Sequence, residues 1–103
     1  IGAFSNDKKM IEKLKISGEE TGDKIWELPI IKEHRNNLNS NLADLRNHNK
    51  TRFGGASVAA AFLKNFVDKD INWTHLDIAG VAKKEAGNTK NYIGNFGTGV
   101  GVR

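Results

Sequence analysis

The stretch Trp73-Thr74-His75-Leu76-Asp77-Ile78-Ala79-Gly80 decides the fold. It is short, rich in residues that suit a pleated backbone, and it stops at Ala79-Gly80, which predicts a strand over Trp73 to Ile78. Ahead of it, Val58, Phe62 and Phe66 form one i, i+4, i+8 row and Ala59, Leu63 and Val67 form the next, which predicts a helix from about Ala56 to Val67. The small-residue run Ala59-Ala60-Ala61 lets another element approach that helix closely. Helix followed by strand is the order of an α/β chain.

Further out, Asn6 or Asp7 can cap a helix whose apolar residues Met10, Ile11 and Leu14 fall at helical spacing, with lysines between them, reaching the Ser17-Gly18 region. Thr21-Gly22-Asp23 reads as a turn ahead of the apolar cluster Ile25, Trp26 and Leu28. Pro29, the only proline, closes that cluster, because its missing N–H ends regular structure. A second helix is expected from about Ile31 to Leu38. The polar stretch Asn36 to Asn49, set around Leu42, Ala43 and Leu45, contains six asparagines and favours turns over long elements. After the strand come a loop with Gly87 and Asn88 and a glycine-rich end, Gly94 to Gly101. Read this way, the chain has one short buried strand and hardly supplies the partners such a strand needs.

The 103 residues leave room for one domain at most. With 38% apolar and 27% charged residues the composition is that of a globular protein and too apolar for a disordered tail. A net charge of +4 is spread over scattered lysines with no basic patch, so nucleic acid is not an expected partner. No run approaches the roughly 20 apolar residues that span a bilayer, and no leader opens the chain, so neither membrane insertion nor export is expected. The absence of cysteine removes disulfides and thiolate chemistry and fits a reducing compartment. The chain starts at Ile1 and not at a methionine, which reads as a fragment or a processed product.

Few residues carry chemistry by spacing alone. His75 and Asp77 share a strand face and could serve a metal or an acid-base pair, but two ligands are too few for a closed site. Flanked by Trp73, Leu76 and Ile78, they read better as hydrogen-bonded groups of a buried strand. His34 and His48 have no partner at metal spacing and read as surface histidines. Asp44, Glu19 and Glu20 read as solvated carboxylates. Gly97-x-Gly99-x-Gly101 imitates half of a phosphate loop without the strand before it or the acid after it, and tight turns explain it better. Ser17, Ser40 and Ser57 lack the setting of a serine nucleophile.

Taken together, four segments resemble the cytosol (leucyl) aminopeptidase family. They are Ser17 to Pro29; Ser40 to Asn47 with Ala43-Asp44-Leu45-x-Asn47; Gly54-Gly55 running into Ala59-Ala60-Ala61-Phe62-Leu63; and Trp73-x-His75-Leu76-Asp77-Ile78-Ala79-Gly80. Thr98-Gly99-Val100-Gly101-Val102-Arg103 is similar to the family's closing glycine-rich motif, while Gly94, Asn95 and Phe96 depart from its usual Pro-Lys-Gly.

The resemblance implies a metal-dependent exopeptidase acting on the N-terminus of peptide substrates, with two divalent ions, manganese or zinc, in a cytoplasmic homo-hexamer. It implies an α/β/α sandwich, a mixed sheet flanked by helices, of which residues 1–103 are a C-terminal portion truncated at both ends. The family's metal-binding lysine-and-aspartate segment and its Asn-Thr-Asp-Ala-Glu-Gly-Arg motif do not occur here, so the chain alone is expected to bind no metal and to be inactive. By the same resemblance no catalytic residue and no metal ligand falls in the chain, His75 and Asp77 belong to the core strand, and Ala79 and Ala82 help line the pocket for the substrate's N-terminal side chain. Ala82 is smaller than the methionine of some relatives. The competing reading is a non-catalytic interaction module, or a split-gene subunit that needs a partner chain carrying the metal site.

Overall fold

The computed structural model describes residues 1–84 and 96–102. In chain order it contains β1 (Gly2–Ser5), α1 (Lys8–Thr21), β2 (Trp26–Glu27), α2 (Lys32–Asn36), α3 (Gly55–Lys64), β3 (Thr74–Asp77), β4 (Lys83–Lys84) and β5 (Phe96–Gly97). The loop expected at Gly87 and Asn88 and the start of the glycine-rich end at Gly94 lie outside the described residues.

The expected strand is present as β3, one residue shorter at each end, and it does not lack partners. It forms the edge of a mixed sheet ordered β2-β1-β3. β1 lies in the middle, antiparallel to β3 with Phe4 opposite His75, and parallel to β2 with Gly2 opposite Trp26. Ala3 and Phe4 point to opposite faces and both are fully buried, so the sheet is covered on both sides at its centre. α1 and α3 both pack on β1, giving an α/β mixed sheet flanked by helices. β1, α1 and β2 together make the parallel crossover that such a sheet needs.

α1 begins where the capping residues predict. Asp7 holds an extended backbone and its Oδ1 accepts from the N–H of Lys9 at 2.9 Å and of Met10 at 3.3 Å. The helix runs one turn beyond the expected Ser17-Gly18 end, to Thr21, because Gly18 lets the returning chain pack directly on it. A Cβ at that position would stand 2.7 Å from the main-chain oxygen of Asp23. The helix stops at Gly22, whose φ of 81° is left-handed, the usual helix-ending conformation for glycine. The chain then reverses into β2, where Leu28 N–H bonds Ala3 O at 2.9 Å. Of the apolar cluster expected here, Ile25 and Leu28 are half-buried, but Trp26 is 76% exposed.

α2 is five residues, shorter than the expected Ile31 to Leu38, and the asparagine-rich stretch after it is irregular as expected. That stretch is held locally, with Ser40 Oγ accepting from Leu42 and Ala43 N–H and Asn49 Nδ2 donating to Phe53 O. Leu38 turns inward and packs with Val58 and Ala61 of α3, with Ile30, Leu45 and Phe62 around them. α3 buries Ser57, Val58, Ala60 and Ala61. Neither expected row is buried along its length: in the first, Val58 is buried but Phe66, past the helix end, is exposed and meets Phe62 edge-on at 5.0 Å, and in the second Ala59 and Leu63 face outward. The narrow face of alanines is what brings α3 against β1 and β3.

Candidate functional site

The turn that leaves β3 is held by a set of side-chain and main-chain bonds. Asp77, the last residue of the strand, uses Oδ1 to accept from Ala79 N–H at 3.0 Å. Ile78 O then accepts from Val81 N–H at 3.0 Å and from Ala82 N–H at 2.8 Å, which closes a single tight turn over residues 78–82. The chain continues as β4, antiparallel to β5 with Lys83 opposite Gly97. One residue further on, Thr98 donates from Oγ1 to Val81 O at 2.7 Å and from its main-chain N–H to Ala82 O at 3.1 Å.

This turn carries Ala79, which is exposed, and Ala82, which is half-buried. A Cβ at the intervening Gly80 would meet nothing within 4 Å, so the turn borders open space. The turn thus carries the small side chains Ala79 and Ala82 beside Ile78 and Val81 at the end of β3. A cavity of about 570 Å³ opens beside β2, lined by Trp26, Leu28 and the Lys15–Glu27 ion pair.

His75 and Asp77 do not form a ligand pair. The His75 ring stacks against Phe4 (centroids 5.9 Å, 25° between planes) and Trp73 (6.3 Å, 12°), while Asp77 braces the turn. The strand is half-buried, not buried, and stacking instead of a hydrogen bond holds the histidine. His34 Nδ1 accepts from Ile31 N–H at 3.3 Å and exposed His48 contacts Asn49 O, both local roles. Asp44 and Glu20 are exposed, and Glu19 lies 3.9 Å from Lys24. Among the described residues no three His, Asp or Glu side chains converge, so these residues do not fit a dinuclear metal site.

The glycines near the end of the chain make turns, as expected: Gly99 and Gly101 have φ of 67° and 80°. Gly101 N–H donates to Oδ2 of the buried Asp23 at 2.9 Å, tying this segment to the end of α1. Sequence reading missed Thr98 and Asp23 as positioning groups. The only signal was the place of Asp23 in the Ser17 to Pro29 segment and of Thr98 in the closing motif, both of which contributed to the resemblance.

The model for the catalytic domain of the cytosol aminopeptidase family matches residues 1–103. The chain belongs to the cytosol aminopeptidase family. A probable cytosol aminopeptidase of Protochlamydia amoebophila is 43% identical over 102 residues, covering 99% of this chain and 20% of that protein. One from Geobacter sp. is 44% identical over 100 residues, with 97% and 20% covered. This member of the family thus spans about a fifth of the length of the curated relatives it matches.

Among solved structures, the bottromycin maturation enzyme BotP superposes on 98% of the chain with a TM-score of 0.89 at 33% identity, covering 22% of that enzyme. Cytosol aminopeptidase from Coxiella burnetii superposes on 72% of the chain with a TM-score of 0.65 at 38% identity, covering 16% of that protein. BotP has also been solved in complex with Mn.

Proposed function

We propose that these residues are a C-terminal portion of the catalytic domain of a metal-dependent aminopeptidase, which releases N-terminal residues from peptides. The observation that carries this reading is the family match over residues 1–103, joined to a TM-score of 0.89 over 98% of the chain. In this proposal the segment supplies scaffold and pocket, and the metal ligands come from polypeptide outside it. That division is supported by the relatives' fivefold greater length and by a donor set that does not fit two metals. Manganese or zinc as the metal pair is supported by the family and by a neighbour solved with Mn. In this reading the parent protein is a homo-hexamer in the cytoplasm, the location being supported by relatives named cytosol aminopeptidases.

Within that enzyme the turn over residues 78–82 acts on the substrate side. Ala79 and Ala82 offer methyl groups to the N-terminal side chain, and their small size leaves room for a leucine-sized group. Burying such a group stabilises the complex by about 1.5–3 kcal/mol. Asp77 keeps the turn in place by holding Ala79 N–H.

The test is hydrolysis of leucine p-nitroanilide with manganese, by the full-length polypeptide that carries this segment and by residues 1–103 alone. The expected result is turnover by the former and none by the latter. Robust turnover by residues 1–103 alone would overturn the assignment of the metal ligands to other segments. An inert full-length protein would favour the non-catalytic module instead.

A further inference from the structure

We propose that Thr98 is a positioning residue for the substrate side-chain pocket, fixing the turn that carries Ala79 and Ala82. The proposal rests on the reading of Ala79 and Ala82 as pocket residues and deepens it.

The turn is open at Gly80, where a Cβ would meet nothing within 4 Å, so hydrogen bonds at its two ends contribute to its geometry. At the β3 end the bond is Asp77 Oδ1 to Ala79 N–H. At the other end, beside the Ile78 O bonds to Val81 and Ala82 N–H within the turn, one residue just past β5 reaches in. Thr98 bonds two consecutive carbonyls, Val81 O through its hydroxyl at 2.7 Å and Ala82 O through its main-chain N–H at 3.1 Å. The hydroxyl also accepts from Val100 N–H at 3.3 Å, which orients it.

Thr98 is itself anchored. The turn that follows it passes through Gly99 and Gly101, both left-handed, and Gly101 N–H reaches the buried Asp23 carboxylate at 2.9 Å. Asp23 in turn packs its main-chain oxygen on Gly18 of α1. The position of Ala82 is thus referred back, through Thr98 and Asp23, to the helix that packs on the central strand. The β4–β5 pairing at Lys83 and Gly97 and the Thr98 N–H bond to Ala82 O do not use the hydroxyl, so removing it loosens the turn at Val81 while leaving the bonds of the sheet in place.

A displaced pocket wall weakens binding of the side chain it touches, alike in ground and transition states, which appears in KM and not in kcat. General destabilisation instead lowers the amount of active enzyme and acts on all substrates equally. The experiment uses the full-length polypeptide carrying Thr98→Val, with leucine, methionine and alanine p-nitroanilides as substrates and calorimetric titration of free L-leucine. We expect KM for the leucine and methionine substrates to rise about fivefold relative to alanine, the loss of one neutral hydrogen bond, with kcat little changed. L-Leucine binding weakens in parallel, and Thr98→Ser restores both. Where Thr98→Val fails to fold, Thr98→Ala removes the same hydroxyl without adding bulk and carries the same expectation. An unchanged leucine-to-alanine ratio, or failure of the serine variant to restore it, overturns the proposal. Ala82→Trp separates the two levels: if it shifts the ratio and Thr98→Val does not, the Thr98 proposal alone falls. If Ala82→Trp leaves the ratio unchanged, the pocket reading falls, and this proposal with it.

Discussion

The main-chain oxygen of Asp23 occupies the place where a side chain on Gly18 would go, 2.7 Å from the Cβ that position would carry. Ile25 closes the same spot at 3.0 Å. Alanine is the better helix former by about 1 kcal/mol, which by itself predicts that Gly18→Ala stabilises α1. The contact decides otherwise, since its nearest atom is backbone that cannot rotate away, and overpacking costs about 1–3 kcal/mol. Gly18→Ala is expected to lower the urea midpoint of the protein carrying these residues. A raised midpoint would show that the chain does not return against the helix at Asp23.

Two other glycines separate conformation from contact. Gly22 ends α1 with a φ of 81°, and placing a Cβ in that left-handed conformation costs about 1–2 kcal/mol. Gly55 opens α3 and a Cβ there meets nothing within 4 Å, so Gly55→Ala gains about 0.4–1 kcal/mol by restricting the unfolded chain. Denaturant unfolding of the two single variants is expected to move in opposite directions.

How much of this was legible in the sequence depends on what each element reports about itself. β3 was readable because β-compatible residues end at Ala79-Gly80, and α1 because Asp7 caps a periodic run. β1 was not, since a central strand buried on both faces has no alternation to show, and Gly2 to Ser5 offers only Ala3 and Phe4 as apolar residues. In α3 the periodicity gave the helix but not its inner face, because Val58 and the alanines sit inside while the larger Leu63 lies outside. Ala79 and Ala82 were named through resemblance, whereas the bonds that fix their turn join residues 77 to 82 to residue 98 and leave no local pattern.

Leu38 lies inside the asparagine-rich region yet is 1% exposed, where it packs against Val58 and Ala61. Those polar neighbours make the region look expendable, but the leucine anchors it to α3. Leu38→Ala is expected to cost about 2–5 kcal/mol, while Leu38→Met, which keeps the volume, costs under about 1.5 kcal/mol. Faster proteolytic cleavage between Asn36 and Asn49 in the alanine variant, and not in the methionine variant, would register the lost anchor.

His75 discriminates a ligand from a packing group. Its ring lies between Phe4 and Trp73 on the same sheet face, and a stack of this kind contributes about 0.5–1.5 kcal/mol beyond the area it buries. Phenylalanine keeps the ring and removes both nitrogens, so His75→Phe is expected to leave stability nearly unchanged, whereas His75→Ala loses the stack and the packing. If His75 took part in metal binding, His75→Phe would lower the metal content of the full-length protein as much as alanine does. The stacked geometry predicts instead that metal content, measured by elemental analysis, stays at the unmodified level in His75→Phe, with turnover of leucine p-nitroanilide preserved. Loss of metal in that variant would move His75 from the scaffold into the site.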